Sequence, residues 1–185
     1  MFRPALAFGL VLLFALCTRA SDPPPRGATD TARQYTRLFE EGRSSEAFER
    51  MWDYERFQQI LFQKDLDKSS AEERKIMTDR FRYLVPKLVV PAGQSLKNIS
   101  HTRFQEKSMS ENLVAVRYLV RFGDGTTAPN TLILQRSSGE SWFVVNYGSG
   151  GDAKLIAAKL REDYVKSKLK PAEFTNALIK KNDGN

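Results

Sequence analysis

Cysteine and histidine are almost missing from this chain: Cys17 and His101 are the only ones in 185 residues. One thiol cannot close an intramolecular disulfide. One thiol and one imidazole are too few donors for a zinc site built from Cys and His. Long apolar runs are scarce too. The longest, from Pro4 to Leu16, is about a dozen residues, whereas a helix that spans hydrocarbon needs about 20. No Gly-x-Ser-x-Gly, His-Glu-x-x-His or phosphate-binding glycine motif occurs, so the commonest hydrolase, metalloprotease and nucleotide signatures are absent. What is plentiful is ordinary globular material. The chain is 41% hydrophobic and 28% charged, a balance that favours a packed fold over disorder, and its length suits one domain with tails. Lysine and arginine number 29 against 22 acids, a net charge of +7.

The apolar run near the start reads as an address. Arg3 precedes it, Thr18-Arg19-Ala20 follows with a small residue at its end, and Ser21-Asp22-Pro23-Pro24-Pro25 opens a polar stretch. That layout predicts a signal peptide over 1–20, with a membrane anchor or a core helix as the alternative. Cys17 raises a lipoprotein reading, but Leu16 before it is bulky for such a site. Cleavage after Ala20 removes Arg3 and Arg19, leaving 27 bases against 22 acids, a net +5, and removes the only cysteine. A cysteine-free product suits an oxidising compartment, the bacterial periplasm or the secreted space.

The rest of the chain divides by periodicity. Residues 21–29 read as a flexible leader, 30–181 as one domain and 182–185 as a disordered tail. Asp30 or Thr31 can cap a helix carrying Tyr35, Leu38 and Phe39 and stopped by Gly42. Ser44-Ser45 can start a second, and Asp53 a third with Phe57, Ile60 and Leu61 on one side. Ser70-Ala-Glu-Glu73 is a capping box opening a helix whose apolar face holds Met77, Phe81, Leu84 and Val85, with Pro86 and Pro91 limiting its length. The period then changes to two. Val114, Val116, Tyr118, Val120 and Phe122 alternate with polar residues, Asp124-Gly125 marks a turn, Thr131 to Gln135 returns, and Trp142 to Tyr147 is a further strand. Leu96 to Phe104 is a weaker strand, and Pro129 belongs at a strand start or an edge. Gly148 to Gly151 breaks the sheet, Asp152 caps a helix with Leu155, Ile156, Leu160 and Tyr164 inward, and Pro171 starts the last helix. Helices, then about four antiparallel strands, then helices define an α+β fold.

Residues that could carry chemistry are few. His101 lies between Ser100 and Thr102 with no partner fixed by sequence, and reads as an exposed strand histidine. Asp53 with Glu55 and Asp65 with Asp67 read as solvated pairs. Gly148-Ser-Gly-Gly151 before Asp152 resembles a phosphate cradle but lacks its Lys-Ser/Thr end, and Asp152 would repel phosphate. The lysines from 166 to 181 can solubilise the surface or meet anionic lipid headgroups; they lack the interleaved aromatics that nucleic acid would ask for. Asn98-Ile-Ser100 fits a glycosylation sequon, which matters only in a eukaryotic secretory protein.

Residues 53–84 carry a resemblance. Asp53-Tyr-Glu-Arg56-Phe57, Ser70-Ala-Glu-Glu-Arg74, Met77, Phe81-Arg82 and Leu84 are similar to the MlaC or toluene-tolerance family of periplasmic phospholipid carriers. The order that follows, strands ending near Trp142 and then a helix over 152–168, is similar as well. Gln63 departs from it where the family commonly has glycine, and Leu66 where it has an aromatic. The resemblance implies the wider NTF2-like fold: N-terminal helices on a curved antiparallel sheet of about four strands, then C-terminal helices. It also implies an exported, soluble, non-enzymatic protein without cofactor or metal that holds an apolar ligand, a phospholipid, for transport between membranes. Its partners would be that lipid and, transiently, a membrane or membrane transport complex, with no nucleic acid. The expected cavity-facing residues are Phe57, Phe81, Leu84, Val116, Tyr118, Leu134 and Trp142. The alternative is a secreted NTF2-like interaction module whose pocket is filled by its own side chains.

Overall fold

The computed structural model describes residues 27–90, 96, 98–150 and 155–184. The expected signal peptide, most of the leader, Pro91 and Asp152 lie outside the described residues.

Helix α1 (Ala28–Glu40) starts two residues before the expected domain boundary, with Gly27 rather than Asp30 or Thr31 as its cap. It presents Tyr35, Leu38 and Phe39 inward. Its end is a glycine stop: Gly42 takes φ +73°, and the amides of Gly42 and Arg43 return to the carbonyls of Phe39 and Leu38. Helix α2 (Ser44–Met51) follows with Arg43 at its cap position. Arg43 then bridges Glu41 and Glu46. Helix α3 (Tyr54–Phe62) is capped by Asp53, whose carboxylate accepts the Arg56 amide at 2.8 Å. It runs into a short 3-10 helix over Gln63–Lys68. Gln63, at the junction, has φ +51° and ψ −129°, a conformation that favours glycine.

Helix α4 (Ala71–Val89) has both halves of its capping box: the Ser70 hydroxyl accepts the Glu73 amide and Glu73 accepts the Ser70 amide. Pro86 lies inside this helix rather than limiting it. It removes one hydrogen bond, the one its amide would have made to the Arg82 carbonyl. The Val90 amide still closes on the Pro86 carbonyl, so the helix reaches Val89.

The sheet is an antiparallel meander in the order β1 (Ser100–Ser110), β2 (Leu113–Arg121), β3 (Thr127–Arg136) and β4 (Trp142–Ser149). β1 corrects the expected Leu96–Phe104 strand. Leu96 precedes it, and pairing with β2 carries it six residues past Phe104 into sequence that is polar because both of its faces are exposed there. β3 begins at Thr127, four residues earlier than its apolar run suggests, and includes Pro129. The Pro129 carbonyl accepts the Gly150 amide just beyond β4, so its missing N–H falls at the last rung on that side. Gly148 stays in β4, and the chain turns at Gly150.

One sheet face pairs Val114 with Leu134, Val116 with Leu132, Tyr118 with Asn130 and Val120 with Ala128. Helix α1 packs across all four strands, and α2 and α3 cover β4. Trp52 forms a parallel bridge with Val144 at the β4 edge. Helix α5 (Ile156–Ser167) lies beside β4 and α3; its first turn is held by Asn146, whose side-chain oxygen accepts the Ala157 amide. Helix α6 (Pro171–Asp183) packs on α4 and extends past the expected domain end at 181. No helix among the described residues is long and apolar enough to cross a membrane.

Candidate functional site

The core has a solid end and a hollow one. In the solid end, Phe57 meets Phe81 edge-on at 5.3 Å between ring centres, and Phe62 meets Tyr164 at 5.0 Å and Phe174 at 6.3 Å. Phe57, Phe81, Leu84, Val116 and Leu134 are all fully buried there and elsewhere in the core, none of them bordering the cavity described below. Trp142 is half-buried at the start of β4. Its partner Arg136 lies six residues along β3 from Asn130, about 20 Å away at the usual strand rise. Of the seven residues expected to face a ligand, Tyr118 alone borders the cavity.

That cavity, of about 50 Å³, lies where the end of α4 and the approach to β1 meet α1 and the sheet. Tyr35, Thr36 and Phe39 come from α1, Val89 and Val90 from the end of α4, and Leu96, Ile99 and His101 from the approach to β1 and its start. Tyr118, Val120 and Phe122 come from β2 and its end, Asn130 from β3 and Tyr147 from β4. It exceeds the roughly 10–15 Å³ that one water needs, and falls well short of the roughly 300 Å³ where small-molecule pockets begin.

Its polar groups gather on the sheet side. Asn130 is 8% exposed, and its Oδ1 has no hydrogen-bond partner. An orphaned buried oxygen of this kind costs about 1–3 kcal/mol. Its amide sits beside the hydroxyls of Tyr118 and Tyr147. Burial raises Tyr118 well above the ordinary phenol range, with Tyr147 and Tyr35 adding to the effect and the Asn130 hydrogen bond opposing it. Burial likewise pushes Tyr147 up to about 12, again against Asn130. The Tyr35 hydroxyl accepts the Trp52 indole N–H at 3.2 Å.

His101 is not the exposed histidine its strand suggested: its side chain is only 6% exposed. His101 pairs with Val120 on the inner face, and a bulge where Arg103 takes φ +57° begins one pair further on, between Thr102 and Gln105. Its ring lies 5.5 Å from that of Tyr118. Glu40, at the end of α1, approaches Nδ1 at 2.8 Å and accepts the His101 backbone amide at 2.7 Å. Burial lowers the imidazole pKa below its ordinary value, and Glu40 partly restores it. A carboxylate-oriented imidazole is one half of a general-base arrangement, which the sequence spacing of 61 residues concealed. No cluster of three metal-ligating side chains occurs among the described residues.

Asn130 was legible in one respect. Ala128, Asn130, Leu132 and Leu134 share a face, so an amide interrupts an otherwise apolar row. Tyr35, Phe39 and Tyr147 could not be told from ordinary core by periodicity.

Fold and cavity together define an α+β domain of the NTF2-like kind: helices before and after a curved four-stranded antiparallel sheet, with an apolar hollow between them. The same fold occurs in a phospholipid-binding protein from Ralstonia solanacearum, solved in complex with a phospholipid. The two superpose with a TM-score of 0.65 over 88% of this chain and 98% of that one, at 14% sequence identity. No protein-family model and no curated protein matches the chain.

Proposed function

We propose that this is an exported, non-enzymatic binding protein that shelters the apolar part of a lipid between α1, the end of α4 and the sheet. The observation that carries this reading is the cavity itself: a mainly apolar hollow enclosed by α1, the end of α4 and the sheet. The phospholipid bound by a protein of the same fold supports the choice of ligand. Each methylene withdrawn from water contributes about 0.8 kcal/mol, so binding needs no chemistry. At about 50 Å³ the hollow admits only the end of a chain, and the rest must part the walls. Val90 and Leu96, both half-buried, border it on either side of the α4-to-β1 connection. Transport between membranes, a periplasmic location and passing contact with a membrane or its transport complex belong to the same proposal.

Native mass spectrometry of the protein purified in the presence of phospholipid tests it. A bound species heavier by one phospholipid is the expected result. Bare protein alone, even after incubation with phospholipid vesicles, would sink the carrier reading. The small size of the hollow favours one rival, an interaction module with a filled pocket. For that reading, recovery of a specific protein partner from the periplasmic or secreted fraction, together with no lipid, is the expected outcome.

A further inference from the structure

The two faces of β1 and β2 differ in chemistry. Across the whole sheet the strands hold five lysines and arginines, Arg103, Lys107, Arg117, Arg121 and Arg136, and one acid, Glu106. Glu106 stands on the inner face: it pairs with Val116, and its carboxylate accepts the Thr29 hydroxyl of α1 at 2.6 Å. On the outer face of β2, Ala115, Arg117, Leu119 and Arg121 alternate with the buried row Val114, Val116, Tyr118 and Val120. β1 sets Lys107 opposite Ala115, Gln105 opposite Arg117 and Ser100 opposite Arg121. Lys107, Arg117 and Arg121 are exposed, and Ala115 and Leu119 between them are half-buried. Arg103 is exposed in the bulge of β1. None of these four bases has an ion-pair partner among the described residues, whereas Arg136 is engaged by Glu140.

We infer that the outer face of β1 and β2 docks the protein on a bilayer rich in anionic phospholipid headgroups. The inference rests on the proposed passing contact with a membrane, and adds the face and the headgroup charge. A surface that only solubilises interleaves its signs, as the helices here do with Arg33 and Asp30, Arg37 and Glu41, and Arg82 and Asp79. Bases gathered on one face without acids repel one another, and a negatively charged surface relieves that repulsion. Arg117 and Arg121 stand four residues apart on one strand, about 13 Å at the usual rise, so one phosphate cannot meet both. A field of headgroups can. The rings of these strands, His101, Phe104 and Tyr118, pack together on the inner side, which leaves the outer face no stacking platform for nucleic acid. Arg121 stands between Val120 and Phe122 in the chain, and both line the hollow, so docking here brings the edge of the hollow towards the bilayer.

Co-sedimentation of the full chain with vesicles tests this, using phosphatidylcholine alone against phosphatidylcholine with about one third phosphatidylglycerol. The vesicles share their acyl chains and differ in charge, so the ratio of affinities cancels what any apolar segment contributes. We expect the anionic vesicles to bind about a hundredfold more tightly, as three bases contributing about fivefold each supply. The preference should vanish when salt shortens the screening length from about 10 Å to about 3 Å. Arg117→Gln with Arg121→Gln should weaken binding to the anionic vesicles by about thirtyfold. Lys107→Gln with Arg121→Gln serves if the first pair does not fold. Lys166→Gln with Lys168→Gln removes the same charge at the end of α5 and should cost less than about threefold. Equal losses from the two regions would mean that net charge, not this face, attracts the vesicle, and would overturn the inference. Equal binding to both vesicle types, or binding to neither, also overturns it. Phospholipid retained in native mass spectrometry would in those cases leave the apolar site standing, so the two readings fail separately.

Discussion

The two ends of this core each bury one side-chain oxygen without a partner, Gln58 Oε1 between α3 and α4 and Asn130 Oδ1 on the sheet. Their surroundings differ. Gln58 gives its amide to the Thr78 hydroxyl at 2.6 Å and does not border the hollow. Asn130 borders empty volume. Both oxygens are closed to water, and what differs is that Asn130 stands at the edge of the hollow while Gln58 does not. Aromatic pairs occur at both ends: Phe57 meets Phe81 at 5.3 Å away from the hollow, and Tyr35 meets Phe39 at 5.0 Å on its wall.

Truncation should strike the solid end hardest. Phe81→Ala removes a fully buried ring that touches both Phe57 and Phe62, and should cost about 3–5 kcal/mol in urea unfolding. A cost under 1 kcal/mol would mean that this end is as loosely filled as the other.

Enlargement should separate the two ends in the opposite direction. Leu84→Trp adds bulk at a fully buried position that does not border the hollow and should cost about 1–3 kcal/mol. Val120→Leu adds one methylene beside the hollow and should change stability by less than about 0.5 kcal/mol while weakening uptake of any ligand there. Equal costs for the two, by urea midpoint at constant slope, would erase the distinction between the ends.

How much of this was readable from the amino acids depends on the range of the interaction. Local signals sufficed for the caps at Asp53 and Ser70, the glycine stop at Gly42, and the alternation of β2, because each involves neighbours within four or five residues. The same holds for the α+β order of the elements. The extent of β1 was hidden because an edge strand with both faces in water carries no period-two pattern; only pairing with β2 defines it. Pro86 misled because a helix packed along its length tolerates the loss of one hydrogen bond. The site was the least legible part. Buried apolar residues that line a void look the same in sequence as those that fill a core, and His101 meets Glu40 only through the packing of α1 on β1.

A smaller effect is expected at Gln63, in the solid end. Its φ of +51° with ψ near −129° is a region that a side chain enters at a cost and that glycine enters freely. Gln63 is exposed, so its removal loses no packing. Gln63→Gly should therefore stabilise the fold by roughly 1 kcal/mol, read as a higher urea midpoint; destabilisation would show that the glutamine is not strained there.

The smallest effect is confined to the hollow end and appears only on titration. Burial holds His101 below its ordinary pKa of 6.5, so the unfolded chain takes up a proton that the folded one resists. Stability then rises with pH wherever the unfolded state binds more protons. As the pH falls below about 6.5, stability should decline, and the decline should level off once the folded imidazole is itself protonated. The carboxylates with depressed pKa values, Glu41, Glu46, Asp65, Asp124 and Asp183, act in a lower window. Their contribution is present above the unfolded values of 3.8 to 4.5 and is lost only as the pH falls through and below them. The two windows can therefore be read apart. His101 is the only histidine in the chain, so the upper limb of a plot of urea midpoint against pH reports it directly. His101→Gln should flatten that limb between pH 7.5 and 5 and leave the acid limb in place. If the upper limb persists in the variant, the imidazole is not buried against Tyr118 and Glu40 in solution, and the hollow end has a wall that the solid end lacks only in appearance.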